Sequence, residues 1–81
     1  MVDVKKAYSI VVQNNPGMEV NTCNEYEDKY VFSLKPKGCK EGFANSAVYI
    51  VDKNTGSYKV LPFWEVLDET VIREFDVTEI K

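Results

Sequence analysis

Val4, Ala7, Tyr8 and Val11 recur at helical spacing and make one apolar stripe, which predicts an amphipathic helix over residues 3–14. Asp3 can cap it, because its carboxylate can accept the free backbone N–H groups of the first turn. Asn14-Asn15-Pro16-Gly17 ends it: proline disfavours helical geometry at Asn15, and Gly17 permits a sharp reversal. Beyond residue 17 the period changes to two. Tyr30, Phe32 and Leu34 alternate with Val31, Ser33 and Lys35, and Met18, Val20 and Thr22 share one parity. Residues 18–25 and 30–35 therefore read as a hairpin around Tyr26-Glu27-Asp28. The register that gathers the apolar sets on one face sets Val20 opposite Leu34 and Thr22 opposite Phe32, and turns Cys23 to the other face.

Residues 36–46, with one proline and two glycines, read as a loop near the upper length for a compact domain. A second hairpin follows at 47–52 and 57–61. Its connection, Asp52-Lys53-Asn54-Thr55-Gly56, has the strongest turn chemistry in the chain. Pro62 suits the first position of a helix, and Phe63, Val66, Leu67 and Val71 follow at helical spacing, so 63–70 reads as a short helix. Residues 71–80 fit two readings, an edge strand through Phe75 and Val77 or a continued helix. The expected fold class is α+β: an N-terminal helix on a four-stranded antiparallel sheet, in the order α-β-β-β-β-α, with a short C-terminal helix.

Composition narrows the function more than the fold. The chain has 81 residues, which suits one domain with one core and leaves little room for a deep cavity. Hydrophobic residues make up 44% and charged residues 28%, an ordinary globular balance that argues against disorder. No apolar run approaches the ~20 residues of a membrane helix. The start of the sequence lacks a secretion-signal pattern, so a cytoplasmic protein without a membrane partner is expected. Cys23 and Cys39 are then expected as free thiols.

The net charge is −3 and there is no histidine. Clustered phosphate-binding cations are missing, which makes nucleic acid an unfavoured partner. Residues 60–81 set Glu65, Asp68, Glu69, Glu74, Asp76 and Glu79 against Arg73 and Lys81. Without histidine and with two cysteines, an N/S metal site would need carboxylates to complete it, and a cysteine nucleophile would lack its imidazole base. Asp52-x-Asn54-x-Gly56 is superficially like a calcium loop, but position twelve is Phe63 and turn chemistry accounts for it. There is no glycine-rich phosphate loop. No cofactor, metal or catalytic set is therefore expected, and the chain reads as a non-enzyme.

What remains is surface. Tyr49 and Val51 have the parity opposite to Val48 and Ile50. With a helix over one face, an open face showing Tyr49, Val51 and Tyr58 would be material for a protein interface. The plainer alternative has Phe63 and Trp64 completing the core with the tyrosines half-exposed. The basic loop with Lys37 and Lys40 and the acidic set Glu65, Asp68 and Glu69 are the other candidate contacts. Three functions are compatible: a protein–protein interaction or assembly factor, an inhibitor or immunity-type protein masking a partner's site, and a weak nucleic-acid-binding module using Lys35, Lys37 and Lys40. The partner would be another protein or a second copy of this chain.

Four segments carry a resemblance: Val4-Lys5-Lys6-Ala7-Tyr8, Asn15-Pro16-Gly17-Met18, the run from Tyr30 to Gly38, and Val51-Asp52-Lys53-Asn54-Thr55-Gly56. In order and spacing the chain resembles, over about residues 3–69, small uncharacterised proteins encoded in phages and prophages of Gram-positive bacteria. It departs from them at Tyr26-Glu27-Asp28, where they have Tyr-Gly-Asp, and at Ala44-Asn45-Ser46-Ala47, where they are glycine-rich. The resemblance implies a phage-linked setting, in the host cytoplasm or on the virion, and no catalytic residue or cofactor. The Val51–Gly56 hairpin is also similar to one in peptidase-regulatory PepSY-type domains and some bacterial immunity proteins.

Overall fold

A computed structural model describes residues 1–38, 47–66 and 68–80. The first helix, α1 (Val4–Asn14), begins at Asp3, whose Oδ1 accepts the Lys6 N–H at 2.8 Å. Four strands follow: β1 (Met18–Glu25), β2 (Lys29–Pro36), β3 (Ala47–Asp52) and β4 (Tyr58–Pro62). A 3-10 helix (Phe63–Val66), a fifth strand β5 (Arg73–Phe75) and a short helix α2 (Val77–Ile80) complete the described chain. The α+β class is as expected. The sheet, however, has five antiparallel strands in the order β4-β3-β2-β1-β5, not four. The extra strand comes from the tail that the sequence left between two readings. It forms because the outer edge of β1 is otherwise unpaired: Cys23, Asn24 and Glu25 align with Phe75, Glu74 and Arg73.

Two further expectations change. Pro62 closes β4 rather than opening a helix, and among the described residues of 63–70 the helical part is the 3-10 turn Phe63–Val66. An edge strand tolerates a proline, since one side of it needs no ladder donor. The loop read at 36–46 lies, from residue 39 onward, outside the described residues.

The first hairpin has the expected turn, closed by the Tyr26 N–H to the Lys29 carbonyl at 2.8 Å, and Val20 does face Leu34. The register then shifts between Val20 and Thr22, so Thr22 faces Ser33 and Cys23 faces Phe32. Asn21 is the inserted residue of a β-bulge. The single extra residue reverses the orientation of everything after it. Cys23, expected on the far face, is instead fully buried in the core.

That core lies between α1 and the first face of the sheet. Ala7 and Val11 of α1 pack with Val20, Cys23, Tyr30, Phe32, Leu34 and Val51, and α2 adds Ile80. A smaller cluster of Tyr26, Val31, Ile50 and Val66 occupies the second face. Its presence follows from topology. After β4, at one edge, the chain must reach β5 at the other, and it crosses the second face near the β1–β2 turn. Val66 of that segment packs into this cluster. At the far side the Ile72 N–H donates to the Glu25 carbonyl at 2.8 Å.

Candidate functional surface

The face expected to be open is the covered one. Tyr30 aligns with Val51 and Phe32 with Tyr49, and Tyr30 and Phe32 share the face that α1 covers. Val51 is accordingly fully buried, and Tyr49 and Tyr58 are part-buried against the core. The Tyr58 hydroxyl accepts a hydrogen bond from Asn15 Nδ2 at 2.9 Å, beside the C-terminus of α1. These three residues hold the helix to the sheet. Val51 is therefore not exposed, and the two tyrosines are part-buried rather than standing on an open face.

Of the basic set, Lys35 and Lys37 are among the described residues. Lys35 Nζ lies 3.7 Å from Glu19 Oε1 across β1 and β2. Lys37 is exposed, and its backbone N–H ties to the Gly17 carbonyl at 3.2 Å. Lys40 and Cys39 lie outside the described residues.

Val31, Ile50 and Val48 belong to the second face, where Val31 and Ile50 are buried with Tyr26 and Val66, and Val48 is part-buried. Phe63 and Trp64, 44% and 56% exposed, meet edge-to-face with ring centroids 5.4 Å apart, and neither completes the core. Val71 and Ile72 are 42% and 60% exposed. A depression of about 280 Å³ lies among Val31, Val48, Phe63, Val66 and Val71. Its polar floor is the Thr22–Ser33 hydroxyl pair, 2.5 Å apart, together with Asn24. Asn24 Oδ1 is buried with no hydrogen-bond partner among the described residues, at a typical cost of about 1–3 kcal/mol.

A second, wider depression adjoins it and shares Tyr26 and Glu69. Its other walls include Glu27, Asp28, Asn54, Thr70 and Ile72. Of the acidic candidates, Glu69 alone lines these depressions; Glu65 and Asp68 are exposed elsewhere. Glu69 pairs with Lys29, which also lies 3.2 Å from Asp28 Oδ1 and over the Tyr26 ring. Burial pulls the Lys29 ammonium down, but the Glu69 and Asp28 carboxylates outweigh it and hold the group above its ordinary value. Lys29 thus stays charged and anchors the crossing segment to the hairpin tip. The exposed Val71-Ile72 pair, amid charged neighbours, was a signal for this surface. The part played by Tyr26, Glu27 and Asn24 had none, because it depends on where the crossing segment lands.

Chemistry at Cys23 is suppressed. Its thiol is free, and burial, then the nearby Glu25 carboxylate, push its pKa up to about 12. In a Cys39→Ser variant, Ellman's reagent at neutral pH is expected to leave Cys23 unmodified until denaturant unfolds the chain. Rapid labelling of the native protein would show that the core opens there. Among the described residues no three His, Cys, Asp or Glu side chains are placed to hold a metal ion, and no helix is long and apolar enough to cross a membrane.

Comparisons with protein-family models, with curated proteins and with solved structures found no match for this chain.

Proposed function

We propose that this chain is a non-enzymatic protein-binding domain, an accessory or assembly factor, that works through the sheet face turned away from α1. The observation that carries this reading is that Phe63 and Val71, both substantially exposed, line a depression on that face, with the exposed Trp64 ring against Phe63 and the exposed Ile72 in the adjoining depression. Large apolar side chains gathered at one exposed place favour association, whereas the same residues scattered singly would carry no such weight. The segments that resemble phage and prophage proteins support a phage-linked setting, with the factor acting in the host cytoplasm or on the virion. A second reading, an inhibitor or immunity-type protein that masks a basic site, draws on the carboxylates of Glu27, Asp28 and Glu69 beside the same depression.

The test uses residues whose loss leaves the fold alone. The double variant Phe63→Ser, Trp64→Ser should unfold at the same temperature as the parent, since neither ring is buried. Both proteins are immobilised and exposed to lysate of the source cell, with and without prophage induction. A protein retained by the parent and lost by the variant is the expected result. Identical retention by both, or none by either, would overturn the reading.

A further inference from the structure

The two adjoining depressions differ in chemistry, and that difference specifies an occupant. This inference rests on the binding-surface reading above. One depression is walled by Val31, Val48, Phe63, Val66 and Val71. The other sets the carboxylates of Glu27, Asp28 and Glu69 around Tyr26 and Ile72. Among the described residues Lys29 meets two of those carboxylates, Asp28 and Glu69, and Glu27 adds a third, so acids outnumber ammonium groups along the described wall. Negative potential over apolar and aromatic walls favours a cation carried on an apolar stem, which is what arginine and lysine provide. Asn24, in the apolar depression, has a buried acceptor oxygen without a partner among the described residues, so a ligand bearing hydrogen-bond donors suits the floor as well.

We propose that this face takes a basic, apolar-anchored segment of a partner protein. An arginine or lysine enters the depression bounded by Glu27, Asp28 and Glu69, and a neighbouring aliphatic side chain enters the one lined by Val31, Val48, Phe63 and Val71. The two positions are close in the partner's sequence, because the depressions share Tyr26 and Glu69. Neither charge nor apolar area suffices alone: the carboxylates steer and orient the segment, and the aliphatic anchor slows its release.

The test titrates the full chain with three short fluorescent peptides built from repeats of Arg-Arg-Leu-Leu, Glu-Glu-Leu-Leu and Arg-Arg-Ser-Ser. The first is expected to bind saturably, more weakly as salt rises, and to move the amide resonances of Tyr26, Val48 and Val71. The other two should bind at least about tenfold more weakly. Neutralising the wall with Glu27→Gln, Asp28→Asn and Glu69→Gln together should cost about tenfold in affinity. Neutralising Glu65 and Glu79, which line neither depression, should change affinity by less than about twofold. Equal losses from the two sets of changes would reduce the effect to general acidity and overturn the proposal. Equal binding of Glu-Glu-Leu-Leu with shifts on the same face would overturn the basic partner while leaving the binding surface intact. No binding by Arg-Arg-Leu-Leu would also overturn it, and the lysate comparison would then judge the surface separately.

Discussion

Replacing Phe32 by alanine is expected to remove a large share of the stability of the fold. Phe32 sits on β2, the central strand, with Cys23 opposite on β1 and Tyr49 on β3, and none of its surface reaches solvent. It lies in the main core, the layer shared by α1 and the sheet. Truncating a fully buried phenylalanine typically costs ~3–5 kcal/mol, the transfer free energy of the ring plus the cavity it leaves. At roughly 0.05–0.15 kcal/mol per residue, a chain of this length has about 4–12 kcal/mol in total. The loss is therefore a large share of the whole. Urea unfolding of the variant by circular dichroism should show a midpoint shifted far toward zero denaturant. Phe32→Leu, which retains most of the apolar volume, should fall between variant and parent. A midpoint for the alanine variant close to the parent's would show that the core collapses around the missing ring, and that the α1–sheet layer is less tightly packed than described.

The second large effect is at the Glu25–Lys53 ion pair, and it should be asymmetric. Lys53 is 8% exposed, the buried charged residue among those described, and its Nζ lies 2.6 Å from Glu25 Oε2 and 5.2 Å from the centre of the Tyr30 ring. Its backbone is fixed as well. The N–H donates to the Asp28 carbonyl at 3.0 Å, and its own carbonyl accepts from Val2 at 2.7 Å. The residue thus joins the tip of the first hairpin, the turn of the second and the start of the chain. Removing one partner of a buried pair strands the other's charge, at a cost of ~3–5 kcal/mol where burial is complete. Both side chains here keep a little exposure, so Glu25→Met is expected near the lower limit, about 3 kcal/mol. Lys53→Met should cost less, because Glu25 is the more exposed partner and aligns with Arg73 on β5, which offers a replacement cation. The double Met variant should recover most of the loss, since well-packed apolar residues often equal a buried pair. Thermal unfolding of the three variants checks the order. Equal losses in the single variants, with no recovery in the double, would show that packing of the stems rather than charge carries the effect.

Much of the fold was legible because local chemistry wrote it. The helix over 4–14, its Asp3 cap and its stop at Asn15-Pro16-Gly17 follow from short-range sterics and hydrogen bonding. So does the Asp52–Gly56 turn, where Asp52 Oδ1 accepts the Asn54 and Thr55 N–H groups at 2.8 and 2.9 Å and Gly56 takes a φ of 75°. Alternation marked β2 as a strand for the same reason, since a two-residue period is a property of the chain itself, and the Asp52–Gly56 turn placed β3 beside β4. The edges were less legible. β5 is three residues long, too short for any period to register, and it exists because β1 had a free edge to offer.

The candidate surface was misplaced by a problem of the same kind. Parity showed that Tyr49 and Val51 share a face and that Val48 and Ile50 share the other. It could not show which of the two α1 would cover. Both sets are apolar, and the choice was made by cross-strand alignment with Tyr30 and Phe32 and by the side on which the helix folds back. The bulge at Asn21 added a reversal that no pattern announced, carrying Cys23 from the far face into the core. The sequence by itself determined the elements, the turns, the lack of histidine and the surplus of acid, all matters of residue identity and nearest neighbours. The tertiary structure alone decided which sheet face α1 covers, and it brought Glu69 beside Glu27 and Asp28 and set Val71 near Val48. Those pairings join residues far apart in the chain, and they exist only once the segment after β4 has crossed the sheet.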